Sequence, residues 1–255
     1  MQTIGNLKGA SIRARDGDIS IVEEVYFDDD AWAIRYLVVD AGGWINQRKV
    51  LISPCSVRQP LGARDTANRI DVSLTRQQVE NSPPVDTHRP ISRQHERDTL
   101  SHYGYPIYWG GAGLWAMGRA PLLMQPMQPT PAEQERSVIE NRVPEEDVHL
   151  RSSALITGYD IEASDGGIGD VKDFLFDESS REIRYLVVDT GNWWPGKQVL
   201  VATRWIDRID WNESKVYTQL SRAAVKASPE YDARRPRDRD YETRLHETHG
   251  RQGYW

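Results

Sequence analysis

The heptapeptide Ile34-Arg35-Tyr36-Leu37-Val38-Val39-Asp40 decides the fold of this chain, because it recurs unchanged 149 residues later as Ile183-Arg184-Tyr185-Leu186-Val187-Val188-Asp189. Around it, residues 9–51 align with residues 158–200 without a gap, and 20 of the 43 pairs are identical. β-Branched and aromatic residues fill the heptapeptide, and apolar side chains fall on both of its faces, which is typical of a central strand. The repeat is too long for a solenoid and indicates a duplicated domain.

Short strands are predicted on either side of the heptapeptide in each copy. In the first copy, Ser11–Ala14 and Ile19–Phe27 flank the dipeptide Asp16-Gly17, which favours a hairpin turn. Asp165-Gly166 occupies the same place in the second copy. The sequence therefore predicts equivalent hairpins at the start of both copies.

A short helix is predicted to close each copy. Beyond the strands, a three-residue shift aligns residues 70–83 with residues 216–229. Thr75 followed by Gln78 matches a capping box, and the prolines at the ends of these two stretches stop the helices. A core built from about 75 residues is marginal on its own, so we expect the two copies to pack together.

The predicted fold class is all-β. We expect two small β-barrels, each with a short terminal helix, joined by a long linker rich in aromatic residues and proline. The first repeat is placed at 1–83, the linker at 84–150 and the second repeat at 151–230, with a short helix expected at 132–143. The remaining residues, 231–255, mix Arg, Asp and Glu without apolar periodicity and are predicted to be a disordered charged tail.

The order of these motifs resembles the PRC-barrel family. The resemblance rests on the Asp-Gly turn, a Val-x2-Val/Phe-x-Phe-Asp strand, the heptapeptide, a Val-Leu-Ile/Val strand and a closing Leu-Ser/Thr-Arg-x2-Val-x2-Ser-Pro, and it covers residues 8–83 and 157–230. The family includes the cytoplasmic domain of the photosynthetic reaction-centre H subunit and the C-terminal domain of a ribosome maturation factor. Both dock on larger assemblies and share no catalytic residues, so the resemblance implies a fold and a docking role.

Composition restricts the location and the partners of the protein. The net charge of −6 offers no whole-chain attraction for nucleic acid, so DNA is not expected as a partner. A single cysteine, Cys55, excludes an internal disulfide. The first residues lack the pattern of a secretion signal, and no apolar run reaches the ~18–20 residues of a membrane helix. We expect a cytoplasmic protein without a transmembrane segment.

The usual motifs of catalysis are missing from the sequence. It contains no Cys-x2-Cys, no Gly-x4-Gly-Lys-Ser/Thr, no His-Glu-x2-His and no Gly-x-Ser-x-Gly. His88, His95 and His102 are interpreted as solvated linker histidines. Asp28-Asp29-Asp30 is interpreted as a solvated turn, because it lacks the glycine and the final glutamate of a calcium loop. We therefore predict no enzyme activity, no cofactor and no metal.

Aromatic residues form the candidate partner site, since tryptophan is favoured at interface hot spots. Turn tryptophans at equivalent places in the two copies could alternatively close a barrel end or join the barrels. The aromatic and glycine-rich stretch 103–115 either wraps over its own barrels or meets a partner or membrane surface. The mid-strand Arg35 and Arg184 are expected to pair with acidic neighbours. The partner-site candidates are Trp44, Trp193, Trp194, Tyr105, Tyr108 and Trp109.

The leading functional prediction is a non-catalytic protein-interaction or assembly module. The resemblance to the reaction-centre H subunit implies a link to photosynthetic or electron-transfer complexes. One alternative is an RNA- or ribosome-associated maturation or stress factor, motivated by the maturation-factor resemblance and by Arg234-Arg235-Pro236-Arg237. A second alternative is a small-ligand-binding protein or an enzyme with its site at the seam between the barrels.

Overall fold

The computed structural model describes residues 1–42, 48–61, 68–109, 113–115, 118–121, 123, 149–191, 197–234 and 239–255. In these ranges the chain is mostly β, with two sheets and few helices, as predicted. Trp44, Trp193 and Trp194 lie outside the described residues, and so does the helix predicted at 132–143.

A six-stranded sheet contains the first copy of the heptapeptide. Its strands are β2 (Ser11–Ala14), β3 (Gly17–Asp28), β4 (Ala33–Asp40), β5 (Lys49–Ile52), β6 (Arg69–Asp71) and β7 (Leu150–Ser152). The strand order is β5-β4-β3-β2-β6, and β7 also pairs with β3. The β2–β6 pair is parallel and the other strand pairs of this sheet are antiparallel.

A seven-stranded sheet contains the second copy. Its strands are β1 (Gln2–Thr3), β8 (Asp160–Ala163), β9 (Gly166–Phe176), β10 (Ile183–Asp189), β11 (Gln198–Ala202), β12 (Ile206–Asp210) and β13 (Lys215–Thr218). The order is β11-β10-β9-β8-β13-β12, with β1 on β9. The parallel pair here is β8–β13, which is equivalent to β2–β6 in the first sheet.

The heptapeptide forms a central strand of each sheet, β4 and β10, and its side chains line the core. Tyr36 and Tyr185 are both 0% exposed and occupy equivalent places. Val38 and Val187 are also buried. The apolar load on both faces of the heptapeptide is explained by this double burial.

Short helices follow the last strand of each copy, as predicted. These are α1 (Arg76–Glu80) and α4 (Arg222–Ala227). Thr75 and Gln78 form the predicted capping box. A further contact fixes each helix to the hairpin turn: the carboxylate of Asp16 accepts a hydrogen bond from the backbone N–H of Arg76 at 2.8 Å, and Asp165 does the same for Arg222 at 2.6 Å.

Contacts divide the chain into two units that are not continuous in sequence. The first unit comprises Asn6–Ser152 and Glu178–Arg181. The second unit comprises Met1–Gly5, Ser153–Asp177 and Glu182–Trp255. Each unit therefore contains the heptapeptide strand of one repeat, and residues 178–181 in the first unit and 1–5 in the second come from ranges that the predicted boundaries assign to the other repeat.

The strands β1 and β7 each pair with a strand of the repeat that lies on the other side of the chain from their own. Gln2 of β1 pairs with Phe176 of β9, and Arg151 of β7 pairs with Phe27 of β3. The two pairs match under the 149-residue offset. Each strand precedes one repeat in sequence and completes the sheet that contains the other repeat.

Among the described residues, three more helices lie outside the aligned ranges 9–83 and 158–229: α2 (Arg93–Tyr103), α3 (Ser153–Ile156) and α5 (Arg239–Thr248). The prediction of a disordered tail is wrong for residues 239–255, because α5 has an apolar face. Tyr241 and Leu245, four residues apart and so on one side of the helix, are buried, and Tyr254 beyond the helix is buried as well.

Within the described ranges, none of the helices has the length and apolarity that spanning a bilayer requires.

Candidate functional site

A second repeated motif follows the closing helices and was missed in the sequence. The three-residue shift that aligns α1 with α4 continues past Pro83 and Pro229 and brings residues 93–109 onto residues 239–255. We call these segments the first strap and the second strap. Both read Arg-x2-Glu-x7-Gly-x3-Tyr-Trp, and the shared residues are Arg93/Arg239, Glu96/Glu242, Gly104/Gly250, Tyr108/Tyr254 and Trp109/Trp255.

The two straps have the same local structure. Each begins with a helix that the shared glycine follows: α2 ends at Tyr103, directly before Gly104, and α5 ends at Thr248, two residues before Gly250. Gly104 has φ 69° and Gly250 has φ 59°, a left-handed conformation that glycine adopts without steric cost. The next residue donates its N–H back to the last turn: Tyr105 to the carbonyl of Leu100 at 2.8 Å, and Arg251 to that of His246 at 2.9 Å.

The first strap buries a polar cluster against the first unit. Glu96 is 0% exposed and accepts a hydrogen bond from the hydroxyl of Tyr108. Its carboxylate also lies 3.1 Å from Nε2 of His149, which is 2% exposed, and 3.6 Å from the guanidinium of Arg93. The Tyr108 hydroxyl is 3.2 Å from the same His149 nitrogen. A buried carboxylate thus has a guanidinium, an imidazole and a hydroxyl as partners.

Arg35 of β4 lies directly under the first strap. Its guanidinium is 3.9 Å from the ring centre of Tyr108 and 4.7 Å from that of Trp115, and it forms a 3.4 Å ion pair with Asp28. It also donates to the carbonyl of Leu114 at 2.6 Å. Stacking on aromatic faces combined with an ion pair lets a charge remain buried.

The second strap repeats this arrangement on β10 with different partners. The Tyr254 hydroxyl donates to the carbonyl of Arg184 at 2.8 Å and lies 3.1 Å from the hydroxyl of Thr203. The guanidinium of Arg184 is 5.3 Å from the Tyr254 ring. The Tyr185 hydroxyl is 2.9 Å from Nε2 of His246, in the place where the first unit has Tyr36 near Glu96.

The outer end of each strap is a tryptophan stacked on the strap's own arginine. Arg93 lies 4.5 Å from the Trp109 ring, and Arg239 lies 4.7 Å from the Trp255 ring. Each arginine also pairs with the strap glutamate three residues on, at 3.6 Å for Arg93 and 2.8 Å for Arg239. The tryptophans are accessible: Trp109 is half-buried and Trp255 is 54% exposed.

The pKa values of the histidines shift in opposite directions in the two clusters. Burial disfavours the charged form of His149, but the hydrogen bond to Glu96 and the charge of that carboxylate outweigh it and raise the pKa of His149. Burial lowers the pKa of His246 and of His249, and the charges of Arg204 and Arg251 respectively act in the same direction. Burial also raises the pKa of Glu242. The first cluster therefore favours a charged histidine and the second favours neutral ones.

The predicted partner residues of the linker lie in the first strap. Tyr105 and Tyr108 are 5% and 6% exposed, so neither ring is accessible in this conformation. Their burial within the first unit agrees with the interpretation of the linker as an arm that packs on its own domain. Trp109 keeps part of its ring at the surface.

The acidic pairing expected for the mid-strand arginines is confirmed. Arg184 pairs with Asp177 at 3.0 Å, and Asp177 is equivalent to Asp28 under the 149-residue offset. The interpretation of residues 28–30 as a solvated turn is wrong for Asp28, which is 5% exposed and has its carboxylate between Arg35 and the N–H groups of the turn. Asp29 pairs with Arg151 at 2.8 Å.

The remaining candidates from the sequence are three linker histidines and one cysteine. His88 and His102 are exposed, while His95 is part-buried and burial lowers its pKa. Cys55 is partly buried, which raises the pKa of its thiol and disfavours the nucleophilic thiolate.

Comparison with known proteins agrees with the sequence resemblance for the second repeat. The family model of the PRC-barrel domain matches residues 155–223, from α3 to the start of α4, so the second repeat contains a PRC-barrel domain. The match ends before the second strap begins. No curated protein matches the chain.

Proposed function

We propose that this protein, with a PRC-barrel domain at residues 155–223, is a non-catalytic module for protein interaction and assembly. The observation that carries the proposal is that titratable side chains of the polar cluster at the first strap are buried and bonded to one another. Glu96, His149 and Tyr108 are buried and bonded to one another, so they serve structure, and a substrate would have to displace the first strap to reach them. A fold alone names no activity, but a site without access argues against one.

The proposal includes a PRC-type barrel in both repeats. Register shifts, which bend and twist strands, occur at equivalent places in the two sheets. Between β3 and β4 they lie at Val22/Glu24 and Tyr26/Phe27, and between β9 and β10 at Val187/Val188 and Ile183/Tyr185. These shared bends support the same curled sheet in each repeat.

The surface of the module carries apolar side chains that a partner could cover. Ile21 on β3 is 51% exposed and Leu155 on α3 is 61% exposed. Single exposed apolar residues are common, so these serve as positions for probes and not as proof of an interface. The family resemblance extends the proposal to a large protein assembly, of the photosynthetic or electron-transfer kind, as the partner.

Site-specific photocrosslinking in native cells tests the proposal. A photoreactive residue at Ile21 or Leu155 is expected to give discrete crosslinked bands, because an assembly module is covered by its partner. Matched controls place the probe at the exposed polar residues Arg13 and Lys226. Crosslinks absent from all four positions, together with sedimentation of the native protein as a free chain, would contradict the proposal.

A further inference from the structure

We propose that the surface of the second unit covered by the second strap is a peptide-binding groove for the sequence Arg-x2-Glu-x7-Gly-x3-Tyr-Trp, and that its partner is the second strap of another copy of this chain. This inference rests on the proposed interaction function and names its partner. The groove is defined by Arg184, Tyr185, Thr203, Trp205 and Pro229.

The first argument is that the chain shows the same recognition twice. Two segments with the same spacing of Arg, Glu, Gly and Tyr-Trp pack in their own units on equivalent residues of equivalent strands. In both cases the strap tyrosine packs on the mid-strand arginine and the strap helix lies near the buried strand tyrosine. Because both straps carry the same motif and pack on equivalent residues, the repetition indicates a groove that selects this motif.

The second argument concerns the anchors of the strap. Leu245 is 0% exposed and Tyr254 is 8% exposed. Side chains buried this deeply dominate the affinity of a bound segment, whereas the exposed rim adds little. The Tyr241 hydroxyl also donates to the carbonyl of Pro229 at 2.9 Å. These contacts specify the ligand along its whole length.

The third argument is that the second strap is held more weakly than the first. The Glu96 carboxylate of the first strap is 0% exposed and lies 3.1 Å from Nε2 of His149 and 3.6 Å from the guanidinium of Arg93, and Trp115 packs on Tyr108 of this strap with ring centres 6.2 Å apart. In the second strap the equivalent glutamate, Glu242, pairs at 2.8 Å with Arg239, whose side chain is 55% exposed, and the Tyr185 hydroxyl lies 2.9 Å from Nε2 of His246. The second strap is therefore the one that can leave its groove.

A second copy is the partner because it offers an identical ligand and an identical groove. Exchange of the same segment between copies breaks and remakes the same contacts, which makes it a low-cost route to association. The strap of the same chain competes at an effective concentration of about a millimolar, as a short connection gives. Exchange between copies therefore grows with protein concentration.

The test uses the full chain with a protease sequence in place of residues 235–238, which connect the strap to the rest of the unit. A fluorescent peptide of residues 239–255 is titrated before and after cleavage. Before cleavage the intramolecular strap should hold the apparent affinity near a millimolar. After cleavage the affinity should rise at least ten-fold, and a peptide with Leu245→Ala and Tyr254→Ala should bind at least ten-fold more weakly. Equal affinity before and after cleavage, or for the two peptides, would overturn the groove.

The identity of the partner is tested with two differently tagged copies of the unmodified chain. They should co-purify in amounts that increase with concentration, and excess peptide should suppress this. Absence of co-purification, or co-purification insensitive to the peptide, would overturn the assignment of a second copy. Crosslinks from Ile21 or Leu155 that persist in excess peptide would then leave the interaction function standing with another partner.

Discussion

The two straps share one sequence motif and differ in the surroundings of its glutamate. Glu96 is 0% exposed and has His149 and Arg93 as partners, whereas Glu242 pairs with Arg239, whose side chain is 55% exposed. The charges of the first cluster are therefore held inside, and the main ion pair of the second extends to solvent. The two copies keep the Arg, Glu, Gly and Tyr-Trp of the motif and differ in the partners of the glutamate.

The largest expected effect tests whether both units depend on their heptapeptide strand. Val38→Asp and Val187→Asp should each lower the free energy of unfolding by several kcal/mol, because a carboxylate would be buried without a partner. Ile21→Asp is the matched control, since Ile21 is 51% exposed, and it should change stability by less than about 0.5 kcal/mol. Urea denaturation followed by circular dichroism measures all three. Wild-type stability of either core variant would contradict the shared core.

The glutamates should separate the two straps most clearly. Glu96→Ala removes the buried carboxylate that contacts both Arg93 and His149 and should cost about 3–5 kcal/mol of unfolding free energy. Glu242→Ala should cost about 1 kcal/mol or less, because Arg239 reaches solvent. Denaturation curves of the two variants give the difference. Equal losses would show that the two clusters are electrostatically alike.

The two strap glycines should respond equally, since both require the left-handed region. Gly104→Ala and Gly250→Ala should each cost roughly 1–2 kcal/mol from the backbone alone. The space around Gly250 is open, with no atom within 4 Å of an added Cβ, so its loss would be free of steric clash. Ser101→Ala, on the exposed side of α2, is the control. A stabilising alanine at either glycine would contradict the shared helix end.

The smallest expected effect is on pH dependence. His149, with a raised pKa, contributes stability that is complete below the usual value of 6.5 and is lost as pH rises through its higher folded value. His246 and His249, with lowered pKa values, bind protons more readily in the unfolded chain, so stability falls as pH drops below 6.5. NMR titration of the imidazole signals, assigned with His149→Gln and His246→Gln, should show titration above 6.5 for the first and below it for the others.

The sequence predicted the strands because the heptapeptide and its turns carry local information. The Asp-Gly hairpins, the capping box at Thr75 and the closing helices depend on neighbouring residues and appear as expected. The straps were missed because their shared residues are sparse within polar stretches. The three-residue shift was available as a signal, since it continues through Pro90/Pro236 to Tyr108-Trp109 and Tyr254-Trp255.

The polar cluster of the first unit could not be predicted from local sequence patterns. Glu96 and His149 are 53 residues apart, and nothing in the spacing of either one indicates the other. Their contact depends on where α2 and β7 lie on the first sheet. Tertiary contacts also explain why the charge-rich segment α5 is helical, because its few apolar residues pack on residues that are distant in the sequence.

The strand β1 has a consequence for the order in which the protein is made. Gln2 of β1 is translated 174 residues before its partner Phe176 of β9. At roughly 5–20 residues per second, this strand waits for roughly ten to thirty seconds before its ladder can form. During synthesis the first unit at first lacks β7, so the part of β3 that pairs with β7 stays open until residue 152 emerges. The ladder of β1 thus forms only once β9 emerges, and the first sheet is complete only once β7 emerges, which leaves an open strand edge on β3 until then.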